Sequence, residues 1–239
     1  MNSLRKKIIW LTLFSIAMGF METAIVVYLR KIYYPNGFGF PLIPIDPDIA
    51  LIEFFREAAT IIMLLGIGIL TGKTASQKFA FFIYCFAIWD IFYYVFLKLL
   101  IDWPESLSTW DILFLIPVPW VGPVIAPCIV SATMIVLALY IVFYQEKGIN
   151  TKIKPREWGL LNLGSLTVIV SFMWDYFRYI NQNNSEKHIW TLSSKKPLFN
   201  EITGYIPTDY NWWLFSLGEI IIIYGIITFV RRIKMNTTL

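Results

Sequence analysis

Six apolar runs, each close to the roughly 20 residues a helix needs to cross a bilayer, constrain this chain more than any other feature. They lie at about 8–29, 49–70, 79–100, 121–144, 158–180 and 211–230. With 57% hydrophobic and only 15% charged residues, the composition falls outside the soluble balance. The expected fold is all-α: a polytopic membrane bundle of six transmembrane helices in one domain, 1–239. The first run follows Arg5, Lys6 and Lys7 like a signal peptide. It is longer than the roughly 7–15-residue apolar core of a cleaved signal, and it ends in Arg30-Lys31, so it reads as a retained helix.

Six crossings put both termini on one side. That side collects Arg5, Lys6, Lys7, Lys73, Lys78, Lys147, Lys152, Lys154, Arg156, Arg231, Arg232 and Lys234. The other holds fewer basic residues, among them Arg30, Lys31, Lys98 and Arg178. Cytoplasmic loops carry the Lys and Arg excess, so the expected location is the cell membrane with both termini cytoplasmic. The net charge of +4 is then a topology signal, and no nucleic-acid partner is expected.

Ionisable residues interrupt these runs. Glu22, Glu53, Arg56, Glu57, Asp90, Asp175, Arg178 and Glu219 all fall between mid-membrane and the outer face in this topology. A charge at the centre of a span costs roughly 2.5–3.5 kcal/mol on insertion scales, so such residues normally face a bundle interior or a cavity. The agreement in depth points to one outward-opening polar cavity. Glu22 and Arg178 also fit a plain interfacial position.

Glu53-Phe54-Phe55-Arg56-Glu57-Ala58-Ala59-Thr60 is the sharpest motif. Residues three and four apart share a helix face, so Glu53, Arg56, Glu57 and Thr60 form a polar stripe that must point inward. It is either an ion pair that holds helices in register or a site in which Arg56 leaves one carboxylate free. A Trp-Asp dipeptide appears three times, at Trp89-Asp90, Trp110-Asp111 and Trp174-Asp175. The first and third extend to W-D-x-F-x-Y, ending in Tyr94 and Tyr179. This is either a decayed repeat, as in some transporters, or an interfacial aromatic belt. Asp90 lies too deep for a belt. Glu53, Glu57 and Asp90 are therefore the candidate catalytic residues. Arg56, Trp89, Tyr93, Asp111, Trp174, Asp175, Arg178 and Glu219 are the candidate substrate-binding residues.

The stretch 111–127 is apolar but carries Pro117, Pro119, Pro123 and Pro127, and interior prolines break helices. It reads as a short or re-entrant segment before helix 4, with a kinked helix 4 as the competing reading. The loop Tyr33–Pro41 is rich in aromatic and turn residues. The outer loop 181–210 is either a lid or a solvated connector, and Asn183-Asn184-Ser185 within it fits a glycosylation sequon.

The single histidine, His188, and the two cysteines, Cys85 and Cys128 in apolar helices, give no expectation of haem, multi-histidine zinc or a redox disulfide. No nucleotide-binding fingerprint appears. A metal held by Glu53, Glu57 and Asp90 would be a hard divalent cation such as Ca²⁺, Mg²⁺ or Mn²⁺. Three function classes survive. The favoured one is a membrane-embedded enzyme acting on a lipid or isoprenoid-like substrate by carboxylate acid–base or hard-cation chemistry. The others are a proton- or cation-coupled transporter and a non-catalytic subunit whose charges pair with one another or with partner membrane subunits.

Overall fold

The computed structural model describes residues 3–116, 118–183 and 204–235. The elements are α1 (Ser3–Tyr33), α2 (Pro47–Thr71), α3 (Ala75–Ile101), β1 (Trp110–Phe114), β2 (Trp120–Pro123), α4 (Ile125–Glu146), α5 (Pro155–Asn183) and α6 (Trp212–Met235). All six helices are long and apolar enough to cross a membrane, as expected for a polytopic bundle. The face that carries both termini is called the terminal face below.

Local chemistry sets the helix ends. Asp46 caps α2 by accepting from the Asp48 and Ile49 amides, and Pro47 follows at a position where a missing N–H is no loss. Thr74 caps α3 through the Gln77 amide at 3.2 Å. Once formed, α2 is inverted relative to a soluble amphipathic helix. Its buried stripe includes Glu53, Glu57 and Thr60, while Leu51, Ile52, Phe55, Ile62 and Leu70 are exposed. In lipid this is the favourable arrangement, since the polar groups need protein partners and the apolar ones do not.

Helix α3 is the hub: α1, α2 and α4 all pack on it. Helices α5 and α6 form a second unit, joined to the first through α4 against α6 and through β2 against α5. Within that unit, Gly164 and Gly218 let the two backbones approach closely, a familiar device between membrane helices. Among the described residues no extensive contact joins α2 to α5.

The proline-rich stretch is neither a kinked helix nor a simple loop. It is a two-stranded antiparallel hairpin, with Trp110 opposite Pro123, Asp111 opposite Gly122 and Ile112 opposite Val121. Residues 121–123, expected to open the fourth helix, belong to β2, and α4 starts at Ile125. Pro119 and Pro123 cannot donate backbone hydrogen bonds, so this segment is poorly suited to a helix. The ribbon pairs its remaining groups and passes to α4 through the Val124 amide on Thr109 O and the Ile125 amide on Leu107 O. The hairpin folds back into the helix bundle. The Leu115 amide reaches Glu57, ten residues and about 15 Å inside α2, and Trp120 stacks on Phe172 of α5 at 6.2 Å. Extended backbone at this depth is tolerated because protein surrounds it.

The far end of the bundle is capped by its loops. Leu42 exchanges backbone hydrogen bonds with Gly204 and Tyr205, and Tyr205 is fully buried against Tyr176, Val121 and Leu42. The described end of the loop 181–210 is thus built into the structure. Residues 184–203, which hold His188 and most of the sequon, lie outside the described residues.

Candidate intramembrane site

All six helices and the hairpin contribute to a cavity of about 340 Å³ at the centre of the bundle. Its wall is mostly apolar and aromatic, with Phe86, Trp89, Tyr93, Trp120 and Phe172 prominent. Polar groups enter at a few points. Asp90 lies on the wall and accepts a hydrogen bond from the Ser131 hydroxyl at 2.7 Å. Glu57 lies on it too and accepts from the Leu115 amide at 2.9 Å. The indole N–H groups of Trp89 and Trp120 are buried without a hydrogen-bond partner. Neither Glu57 nor Asp90 forms an ion pair with any described residue.

A smaller compartment of about 150 Å³ adjoins the cavity on the side away from the terminal face. Val26, Glu57, Tyr93 and Ile112 line both, so Glu57 stands at their junction. Toward the terminal face the cavity ends, and Leu11, Tyr84, Ile141, Phe229 and Ile233 fill the bundle as packed core. Sideways, Ile61 of α2 and Ser165 and Ile169 of α5 line the cavity across the helix pair that lacks extensive contact, and Ser165 is exposed.

The other sequence-predicted residues divide by partner. Arg56 donates to Glu53 at 2.7–2.8 Å and also to Glu22 on α1, so one guanidinium holds two carboxylates and ties α2 to α1. Asp111 accepts from Arg30 at 3.1 Å. Glu219 accepts from Thr133 across the α4–α6 contact at 3.0 Å, and its other oxygen is buried without a partner. Asp175 accepts from the Tyr205 hydroxyl, the Thr208 hydroxyl and the Thr208 and Asp209 amides. Its role is to fasten the loop 204–209 to α5. Burial, reinforced by this carboxylate, holds the Tyr205 phenol far above its usual range, so Tyr205 stays the donor. Trp174 is 42% exposed and Arg178 is exposed; neither lines the cavity.

Glu53, Glu57, Asp90, Trp89, Tyr93 and Asp111 therefore line the two compartments, while Arg56 lines neither and meets them only through its pairing with Glu53 and Glu22. Glu219, Asp175, Trp174 and Arg178 are not part of their walls. Among the described residues no group of three or more His, Cys, Asp or Glu side chains is placed to hold a metal ion. Sequence reasoning missed Arg30, Ser131 and Trp120. Arg30 reads as a topology charge at a helix end, and Ser131 as one small residue in an apolar run. Glu157 was also missed. It is buried at the terminal face, paired with Arg232 at 2.6 Å and capping the Lys154 amide.

The six long apolar helices define a multi-pass membrane protein, and the bundle encloses an aromatic cavity that carries a few polar groups. Comparison of the chain with protein-family models, with curated proteins and with solved structures finds no match.

Proposed function

We propose that the protein is a membrane-embedded enzyme acting on a lipid or isoprenoid-like molecule, with both termini cytoplasmic and the site reached from the outer leaflet. One observation carries the reading. Two carboxylates with no ion-pair partner among the described residues, Glu57 and Asp90, stand on the wall of an aromatic cavity that no described side chain fills. Buried acids that serve architecture here are either ion-paired, as Glu22, Glu53 and Glu157 are, or held by several hydrogen bonds, as Asp175 is, whereas Glu57 and Asp90 each accept one hydrogen bond from the described residues. A pocket near the lower end of the roughly 300–1,000 Å³ range of ligand sites, apolar with few convergent polar groups, suits an apolar small molecule.

In this reading the substrate slides from the bilayer between α2 and α5, past Ile61 and Ser165. Its apolar part lies against Phe86, Met134, Ile169 and Ile222. Glu57 and Asp90 exchange a proton with the reacting group, which contributes about 10²–10⁴-fold in rate for a well-placed acid or base. The indoles of Trp89 and Trp120 donate to a polar atom of the substrate. Arg56, held by Glu22 and Glu53, keeps the α2 stripe facing inward. The packed floor of the cavity favours this reading over transport, which needs a site reachable from both sides.

The test is to incubate purified protein with a lipid extract of its host membrane and follow mass changes by liquid chromatography and mass spectrometry. Glu57→Gln and Asp90→Asn should each lose at least about 100-fold in turnover while yield and thermal stability stay near those of the unmodified protein. Undiminished turnover in both variants would remove the acid–base assignment. Failure of both variants to fold would instead identify these carboxylates as parts of a structural network.

A further inference from the structure

The smaller compartment carries a feature that proton exchange at Glu57 and Asp90 does not use. Arg30 is only 7% exposed, and its guanidinium is held between two aromatic faces, 4.2 Å from the Phe38 ring centre and 3.7 Å from that of Trp103. One terminal nitrogen, Nη2, donates to Asp111 Oδ1. The other, Nη1, is buried with no partner. Asp111, at 1% exposure, is faced by the Tyr94 hydroxyl, yet its Oδ2 has no hydrogen bond of ordinary geometry. Both Arg30 and Asp111 line the compartment, and Glu57 links it to the central cavity. One ion pair beside the far end of an apolar site thus keeps a buried donor, Arg30 Nη1, and a buried acceptor, Asp111 Oδ2, without an ordinary hydrogen-bond partner, although the Ile112 amide and Tyr94 hydroxyl also face the Asp111 carboxylate.

The geometry points to a head-group subsite that takes an uncharged hydroxyl, such as that of a long-chain or prenyl alcohol. This inference rests on the central cavity being a lipid site and specifies which end of the lipid lies where. A hydroxyl is at once acceptor and donor, so a single one answers both Arg30 Nη1 and Asp111 Oδ2. Among the described residues that line the compartment a phosphate finds no free cation. Arg30 is already paired with Asp111, and Arg56 with Glu22 and Glu53, while Glu57 adds a further carboxylate. An ammonium has donors only, and would leave Arg30 Nη1 without an acceptor while sitting beside a guanidinium. The chain of the alcohol then runs past Glu57 and Tyr93 into the central cavity, which brings its first carbons to the proposed acid–base pair.

The experiment is a competition series on the full-length protein in detergent. A radiolabelled C15 prenyl hydrocarbon serves as reporter, and the matched alcohol, phosphate ester and amine serve as competitors. The alcohol should compete at least ten-fold more strongly than the phosphate or the amine. Arg30→Gln and Asp111→Asn should each reduce alcohol competition at least ten-fold and leave hydrocarbon binding unchanged. The comparison among competitors uses the unmodified protein, so it stands even where a variant folds poorly. A phosphate or amine equal to the alcohol would overturn the head-group assignment and leave the lipid cavity standing. Unchanged alcohol competition in well-folded variants would remove the Arg30–Asp111 pair from the subsite. No binding of any of the four would overturn the cavity reading and this inference together.

Discussion

Replacing Arg56 with Gln should destabilise the protein more than any other single neutralisation in α2. Arg56 holds both Glu53 and Glu22, and the three side chains keep only 18%, 11% and 15% of their surface exposed. Removing the shared cation leaves two carboxylates at membrane depth with no counter-charge. Breaking a buried pair in this way typically costs about 3–5 kcal/mol. The residual exposure puts the effect at the lower end, about 3 kcal/mol, or roughly a hundred-fold in the folded-to-unfolded ratio. For a chain of this size that corresponds to a fall of about 6–12 °C in Tm. Neutralising the whole triad as Glu22→Gln, Glu53→Gln and Arg56→Gln removes the uncompensated charge along with the pair, and should recover most of the loss. Thermal unfolding in one detergent, followed by size-exclusion chromatography of heated samples, compares the variants. An Arg56→Gln midpoint within about 2 °C of the starting protein, or a triple variant as unstable as the single one, would refute the electrostatic account of α2.

Two further perturbations separate architecture from site. Asp175→Ala removes four hydrogen bonds to the loop 204–209. Each charge-assisted bond contributes about 1.5–3 kcal/mol, so hydrogen exchange at Thr208 and Asp209 should accelerate at least ten-fold while the central cavity keeps its ligand; unchanged exchange would show that Asp175 does not fasten the loop. Gly218→Leu should separate α5 from α6, because even a Cβ there would lie 2.9 Å from the Gly164 carbonyl oxygen and 2.7 Å from Val168. A loss of about 1–3 kcal/mol is expected for such overpacking, read as a lower unfolding midpoint, and a neutral result would mean that this crossing is looser than it looks.

The six spans were legible in the sequence because membrane insertion selects on length and apolarity, which are local properties. The α2 stripe was legible for a related reason: charges three and four apart in an apolar run can only share a face and turn inward. What stayed hidden was partner choice. Trp89-Asp90, Trp110-Asp111 and Trp174-Asp175 look like copies, yet Asp90 meets Ser131, Asp111 meets Arg30 and Asp175 meets Tyr205 and Thr208. These pairings span 30 to 81 residues, and nothing local in the sequence encodes them. The hairpin was only half legible. Its prolines exclude a straight helix, but antiparallel pairing of Trp110–Phe114 with Trp120–Pro123 depends on the surrounding helices that shield the ribbon. Arg30 was passed over as a site residue for the opposite reason. A basic residue at a helix end ordinarily faces water, and here Phe38 and Trp103 draw it under the loops that cap the end of the bundle away from the termini.

The most direct test of an intramembrane lipid site is native mass spectrometry of the protein released from mild detergent, alongside a Val130→Trp/Met134→Trp variant that fills the central cavity from α4. One lipid or isoprenoid-like molecule per chain, retained by the unmodified protein and lost from a well-folded variant, is the predicted result. An unmodified protein that carries no such molecule, or a filled variant that keeps it, would contradict the account.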